Sequence, residues 1–425
     1  VIASDSGRKP LDTEKLLVRP PLPHEWKSRA LNEVCTFSNG LWKGEKPPFI
    51  KVGVIRNTNF TTDGHLDDSD IAYLDVEAKK LDKRRLQHGD IILEKSGGGP
   101  KQPVGRVALF DKTEGDFSFS NFTAALRVID PTELDFRFLH KFLYWMYVSG
   151  VTEGMQTNST GIRNLDGDAY KAIRISFPAL PEQRRIIGIL DEAFGCISAA
   201  KSTSVLALRN ARALFEGALQ RTFAEAWTYD LVTLQEIAAE ITDGDHMPPP
   251  KSKTGVPFVT IGNIDKKSRR VDFSGTFMVS EAYYQRLKSA KKPQRGDVLY
   301  TVTGSFGIPV LIDHDRAFCF QRHIGLIRPA PSTDSAWLAY LLLSPQVFSQ
   351  ANEQATGTAQ RTVSLRVLRS LTVPRLPLVE QRRAVGWLGA VAHRSENLAT
   401  INEQKLARLD ELKKSLLHQA FSGQL

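Results

Sequence analysis

A chain of 425 residues with 56 Lys and Arg against 47 Asp and Glu carries a formal charge of +9 and a pI of about 9.3. That excess is compatible with a polyanionic partner without requiring one. Cys35, Cys196 and Cys319 are too scattered for a zinc site or a disulfide framework, which points to a reducing cytosol. Residues 1–23 hold no apolar signal-peptide core, and the most apolar short run, residues 142–148, is far too brief to span a bilayer. A cytoplasmic protein is expected.

Residues 1–23, with prolines at 10, 20, 21 and 23, read as a loosely ordered lead-in. From Trp26 to about Phe177, short β-rich runs such as Phe49–Ile55 and residues 90–93 alternate with Gly, Pro, Asn and Asp turns. Phe136–Val148 reads as an apolar helix lying on that sheet. At Pro181-Glu182 a proline-free stretch begins and runs to Phe223. There Ile187, Leu190, Phe194 and Ile197 recur at 3–4 spacing, and Leu208, Ala211, Phe215 and Ala218 resume in phase. This pattern predicts a coiled-coil rod whose seam Lys201 and Ser204 interrupt.

The order then repeats. Glu182-Gln183-Arg184-Arg185 returns as Glu380-Gln381-Arg382-Arg383, at an offset of 380 − 182 = 198. Pro257-Phe258-Val259-Thr260 follows Pro48-Phe49-Ile50-Lys51, and Arg295-Gly296-Asp297 follows His88-Gly89-Asp90. Residues 337–343 stand where residues 138–145 stood. A second rod with Val385, Leu388, Ala392, Ala399, Leu406 and Leu409 in its seam closes the chain. Two such rods after two similar globular parts predict antiparallel packing and a pseudo-twofold arrangement. A duplicated unit presents two similar surfaces, as a repetitive partner such as duplex DNA requires.

Three fragments look catalytic and are not. In Lys46-Pro47-Pro48-Phe49 a lysine occupies the place where an amine-binding loop needs an acceptor oxygen. Ser96-Gly97-Gly98-Gly99-Pro100-Lys101 lacks the Gly-Lys-Ser/Thr ending of a phosphate-cradling loop. Asp243-Gly244-Asp245-His246, followed by prolines, reads as a turn rather than a metal cluster.

Nucleic-acid contacts are the better use of the polar residues. Lys79, Lys80 and Arg84 precede one Gly-Asp turn, and Lys288, Lys291 and Lys292 precede the other. Lys95, Lys101 and Arg106 flank the glycine loop, and Thr303 opens its counterpart. Arg163, Asn164, Arg322, His323, Gln360 and Arg361 can bond phosphates or base edges.

Taken with the runs Phe177-Pro178-Ala179-Leu180-Pro181-Glu182-Gln183-Arg184-Arg185 and Pro374-Arg375-Leu376-Pro377-Leu378-Val379-Glu380-Gln381-Arg382-Arg383, the chain resembles the DNA-specificity (S) subunits of Type I restriction–modification systems. The resemblance covers nearly everything beyond about residue 24, and Val379 departs from the proline of the first copy. It implies an α+β fold: two β-rich target-recognition domains separated by two long antiparallel coiled-coil helices. The expected division is a lead-in at 1–23, recognition domains at 24–180 and 224–378, and spacer helices at 181–223 and 379–425.

The resemblance further implies a protein without chemistry of its own. Each domain would read one half of a bipartite, asymmetric site. The helices would set the gap and dock two methyltransferase subunits through Glu182, Gln183, Arg184, Glu380, Gln381 and Arg382. Motor-nuclease subunits would join later, and S-adenosylmethionine, ATP and magnesium would sit on the partners. The alternatives are a single-chain restriction enzyme and a repeat scaffold that binds only protein.

Overall fold

The computed structural model describes residues 23, 25–41, 44–99, 102–159, 162–247, 249–358 and 360–425. The lead-in before Pro23 and the predicted DNA contact Lys101 lie outside the described residues. The chain divides into two compact units, residues 1–203 with 404–425 and residues 204–403. Each unit contains one β-rich half and a part of both long helices.

In the first unit an antiparallel sheet runs in the order Cys35–Asn39, Thr123–Val128, Ile91–Glu94, Val107–Leu109. Ile91 and Leu93 pack under helix Phe136–Val148, while Ile92 faces Phe117 and Phe119 on the other side. A central strand covered on both faces is apolar at consecutive positions, which is why residues 91–93 read as a continuous apolar run. Phe49–Ile55 pairs antiparallel with Ala72–Glu77 and parallel with Phe117–Phe119. Lys27–Ala30 pairs with Arg174–Phe177.

The second unit repeats the plan. Its sheet runs Ala238–Asp243, Ile324–Pro329, Val298–Thr301, Pro309–Leu311, and Val256–Val259 lies between Phe277–Val279 and Cys319–Phe320. The Gly-Asp turns have the same internal job in both units. Asp90 binds Arg127 at 2.7 Å, and Asp297 binds Arg328 at 2.8 Å. Both carboxylates are buried.

The long helices are Leu180–Ala226, 47 residues, and Leu378–Phe421, 44 residues, each on the order of 70 Å at 1.5 Å per residue. Their starts keep the 198-residue offset (378 − 180). Val379 in place of Pro181 therefore changes nothing, because the first-turn N–H that proline lacks has no intrahelical acceptor anyway.

The pairing is antiparallel within each unit. In the first, Lys201 is ion-paired with Asp410, Lys413 Nζ lies 4.8 Å from the Phe194 ring, and Arg185 donates to the Leu425 carbonyl at 2.7 Å. In the second, Arg212 meets Glu403 at 3.2 Å and Ser395 Oγ donates to the Ala211 carbonyl at 2.5 Å. Leu190, Ile197, Ser204 and Ala211, seven residues apart, are all buried. Ser204 thus belongs to the seam it was expected to break, since a small side chain lets the helices approach closely.

Two docking expectations need correction. Gln183 is wholly buried: its Oε1 accepts from the Asp135 N–H at 2.9 Å, and its Nε2 donates to the carbonyls of Glu133 and Pro178 at 2.8 and 2.9 Å. Gln381 repeats this with the Asp334 N–H at 2.7 Å and the carbonyls of Ser332 and Leu376 at 3.0 and 2.8 Å. Both amides face inward and latch a helix to its globular part, so neither is open to a partner. Asp135 and Asp334, held this way, cap helices Phe136–Val148 and Ser335–Leu343. Among the described residues no helix is long and apolar enough to cross a membrane.

Candidate nucleic-acid interface

One backbone frame is built in both units at the open end of the four-stranded sheet. The Leu165 N–H donates to the Lys95 carbonyl at 2.8 Å and the Lys95 N–H to the Phe122 carbonyl at 3.0 Å. Val363, Val302 and His323 make the same two bonds at 2.8 and 3.0 Å. Ser96 stands opposite Asn164 as Thr303 stands opposite Thr362. Asn39 and Asp243 end the matching edge strands, paired with Ala124 and Gly325. The next residue is glycine in both cases because a Cβ would lie 1.8 Å from the Ser120 carbonyl oxygen, or 2.0 Å from that of Phe320. Asn39 therefore corresponds to Asp243, Lys95 to Val302, Ser96 to Thr303, Asn121 to Arg322, Phe122 to His323, Arg163 to Arg361 and Asn164 to Thr362.

In the first unit the frame is tightly knit. Lys95 Nζ donates to Asn39 Oδ1 at 2.8 Å, and partial burial holds its ammonium below the usual lysine range. Arg84 Nε donates to the Asn39 carbonyl at 3.2 Å, and Ser96 Oγ to Asn164 Oδ1 at 2.5 Å. Phe122 is exposed beside them. A hollow of about 160 Å³ between Asn39, Lys95, Gly167 and Lys171 completes the surface.

The second unit opens the same place into a concavity of about 470 Å³, lined by Asp243, Thr303, Arg322, His323, Gln360 and Thr362. Asp243 Oδ2 lies 3.0 Å from His246 Nε2, and Lys291 Nζ lies 3.1 Å from the Gly244 carbonyl and 3.9 Å from Asp243 Oδ1. Arg322 Nε sits 3.4 Å from His323 Nε2. Arg361 is oriented by Asn352 Oδ1 at 2.6 Å and by the Phe306 ring at 5.7 Å.

The structure thus brings Arg84, Lys95, Arg163 and Asn164 together in one unit, and Lys291, Thr303, Arg322, His323, Gln360 and Arg361 in the other. It leaves several expected contacts elsewhere. Arg106 is a correction: its Nε and one terminal nitrogen each donate to the buried Glu94 carboxylate at 2.8 Å, and that nitrogen also bonds the Asn57 carbonyl at 3.0 Å. It is an internal strut. Lys80 faces Glu77 at 3.9 Å on the short helix Ala78–Asp82, where Lys79 is exposed. Lys288 is exposed, while Lys292 Nζ turns back to the Gln285 carbonyl at 3.1 Å, over the Tyr284 ring. The glycine-rich stretch is not all loop, since Ser96–Gly98 forms a strand against Ile162–Leu165.

Asn121 and Phe122 are missed by the sequence reading, which takes Asp243-Gly244 as a turn, with Asn39-Gly40 in the equivalent place, and gives neither first side chain a contact of its own. Only that first side chain varies between the two matched pairs.

Residues 23–204 match a family described as the Type I restriction modification DNA specificity domain. The chain is 23% identical over 443 residues to the EcoKI Type I restriction enzyme specificity subunit of Escherichia coli K12, covering 95% of this chain and 90% of that one. It is 24% identical to the MjaVIII specificity subunit of Methanocaldococcus jannaschii, over 67% of this chain and 70% of the relative. Solved structures share the fold. A chain from work on complex assembly and conformational transition of the type I restriction–modification system has a TM-score of 0.75 at 20% identity, with 96% and 100% of the two chains covered. The HsdS subunit from Thermoanaerobacter tengcongensis has a TM-score of 0.60 at 21% identity, with 95% and 98% covered.

Proposed function

We infer that this chain, which belongs to the Type I restriction–modification DNA specificity subunits, reads two half-sites of duplex DNA and leaves catalysis to its partners. One observation carries the reading: the same backbone frame occurs twice and presents different polar side chains each time. Two copies of one catalytic centre would need the same reacting groups, whereas two readers of an asymmetric site need different ones. Residues 24–180 and 224–378 are the recognition domains, and 181–223 and 379–425 are the spacers. Arg84, Lys95, Arg163, Asn164, Lys291, Thr303, Arg322, His323, Gln360 and Arg361 face the duplex. Lys79, Lys80 and Lys288 supply peripheral charge for phosphates.

Two methyltransferase subunits dock on the helices, and restriction subunits join that assembly. S-adenosylmethionine, ATP and magnesium belong to those partners. With Gln183 and Gln381 turned inward, Glu182, Arg184, Glu380 and Arg382 remain as polar docking groups. On the second helix Trp387, Leu398 and Ile401 are exposed, and their 11- and 3-residue steps (387 to 398, 398 to 401) keep them on one outward stripe.

Removal of one heptad, about seven residues, from each long helix keeps the seam in phase and shortens it by about 10 Å. In the reconstituted methyltransferase the gap between half-sites should contract by about three base pairs, with the half-site sequences unchanged. Altered half-site bases in the methylated motif would refute the division between readers and spacer.

A further inference from the structure

The seven matched positions separate into one that is kept and several that change. Arg163 and Arg361 are the same residue at the same point of the frame, on the strand or bridge facing Ser96 and Thr303. Around them Asn39 becomes Asp243, Lys95 becomes Val302, Asn121 becomes Arg322 and Phe122 becomes His323. A phosphate looks the same in any sequence, so its contact needs the same charge in the same place in both units. Base edges differ between half-sites, so their contacts must differ.

The chemistry of the changed pair in the second unit is specific. An asparagine amide both donates and accepts, whereas an aspartate carboxylate only accepts. Asp243 shares its concavity with Arg322, a donor-only group, and the Arg322 N–H is bonded to the Asp245 carbonyl at 3.0 Å, two residues along the same strand end. In the major groove a guanine offers the acceptors O6 and N7, and its cytosine offers the N4 amine. The forked Arg322 guanidinium meets two adjacent acceptors only on guanine, with the cytosine amine beside them for the Asp243 carboxylate, whereas in an A·T pair the adenine amine separates the two acceptors.

Resting on the specificity reading above, we propose that Arg163 and Arg361 grip phosphates in the two half-sites, while Asp243 and Arg322 select a G·C pair in the second. The first unit does not carry this selection, because Asn39 and Asn121 stand where Asp243 and Arg322 do, and an amide both donates and accepts.

The test uses the full chain assembled with its methyltransferase subunits and a DNA library randomised at both half-sites. Asp243→Asn keeps size and shape. It should lower the ten- to hundredfold preference at one base pair of the second half-site to within about threefold, and leave the first half-site and the salt dependence as they were. Arg361→Gln and Arg163→Gln should keep the full motif while each makes the slope of log affinity against log salt shallower by about one. An unchanged second half-site in the Asp243→Asn complex overturns the selection, as does loss of preference at a position other than G·C. A changed motif in either arginine variant overturns the phosphate assignment. A wild-type complex with no two-part preference would overturn the specificity reading itself, and this proposal with it.

Discussion

Glu94 and Arg106 illustrate how one side chain's surroundings decide its role. The Glu94 side chain is only 1% exposed, with Arg106 bonded to both its oxygens and Asn57 Nδ2 3.2 Å from one of them. In the second unit the equivalent residues are Thr301 and Ile308, joined by the same backbone bond, Thr301 N–H to the Ile308 carbonyl at 3.1 Å. Breaking a buried pair strands a charge, whereas replacing both members with a packed apolar pair is nearly neutral. Arg106→Ile alone should cost about 3–5 kcal/mol in urea unfolding, and adding Glu94→Thr should recover most of that loss. No recovery would show that the site depends on the charges themselves. His140 offers a pH test. Burial, helped by the charges of Lys141 and His65, holds its imidazole down at about 3 rather than 6.5. The unfolded chain takes up a proton below pH 6.5 that the folded chain refuses, so stability present above 6.5 is lost as pH falls toward 3. His140→Phe should remove up to about 4 kcal/mol of that acid loss, read as the difference between the two urea-midpoint curves against pH.

At the level of elements, local periodic signals were legible and long-range ones were not. The heptads placed both long helices, and the apolar runs placed strands Phe49–Ile55 and Ile91–Glu94, because spacing within a few residues fixes which face is buried. The inward turn of Gln183 depends on Asp135, 48 residues away (183 − 135), and no local pattern records it. The same holds for Arg106, which reads as a solvated charge beside a glycine loop until the chain brings Glu94 under it. The latch also makes a mechanical prediction. Gln183→Leu leaves the Asp135 N–H and the carbonyls of Glu133 and Pro178 without their partner, and should cost about 2–3 kcal/mol. Hydrogen exchange should show the loss at the start of helix Phe136–Val148, and an unchanged exchange rate there would mean that water substitutes for the amide.

Over the whole chain, the repeat in the sequence is a repeat in structure, and the α+β fold with two β-rich halves and two long helices is the one expected from it. The candidate interface was only partly readable. Arg163, Arg322 and Arg361 could be chosen by residue type, but Asn39 and Asp243 reach the site through Thr123–Val128 and Ile324–Pro329, the strands lying between them and the central strand of each sheet. The buried Glu94–Arg106 pair also limits how genes for such chains can recombine. Since Thr301 and Ile308 do its work without charge, a hybrid spliced between the halves within residues 95–105 would inherit one partner and bury the other's naked counterpart. Viable crossovers should avoid that span, and reshuffled descendants should carry residues 94–106 forward as an undivided block.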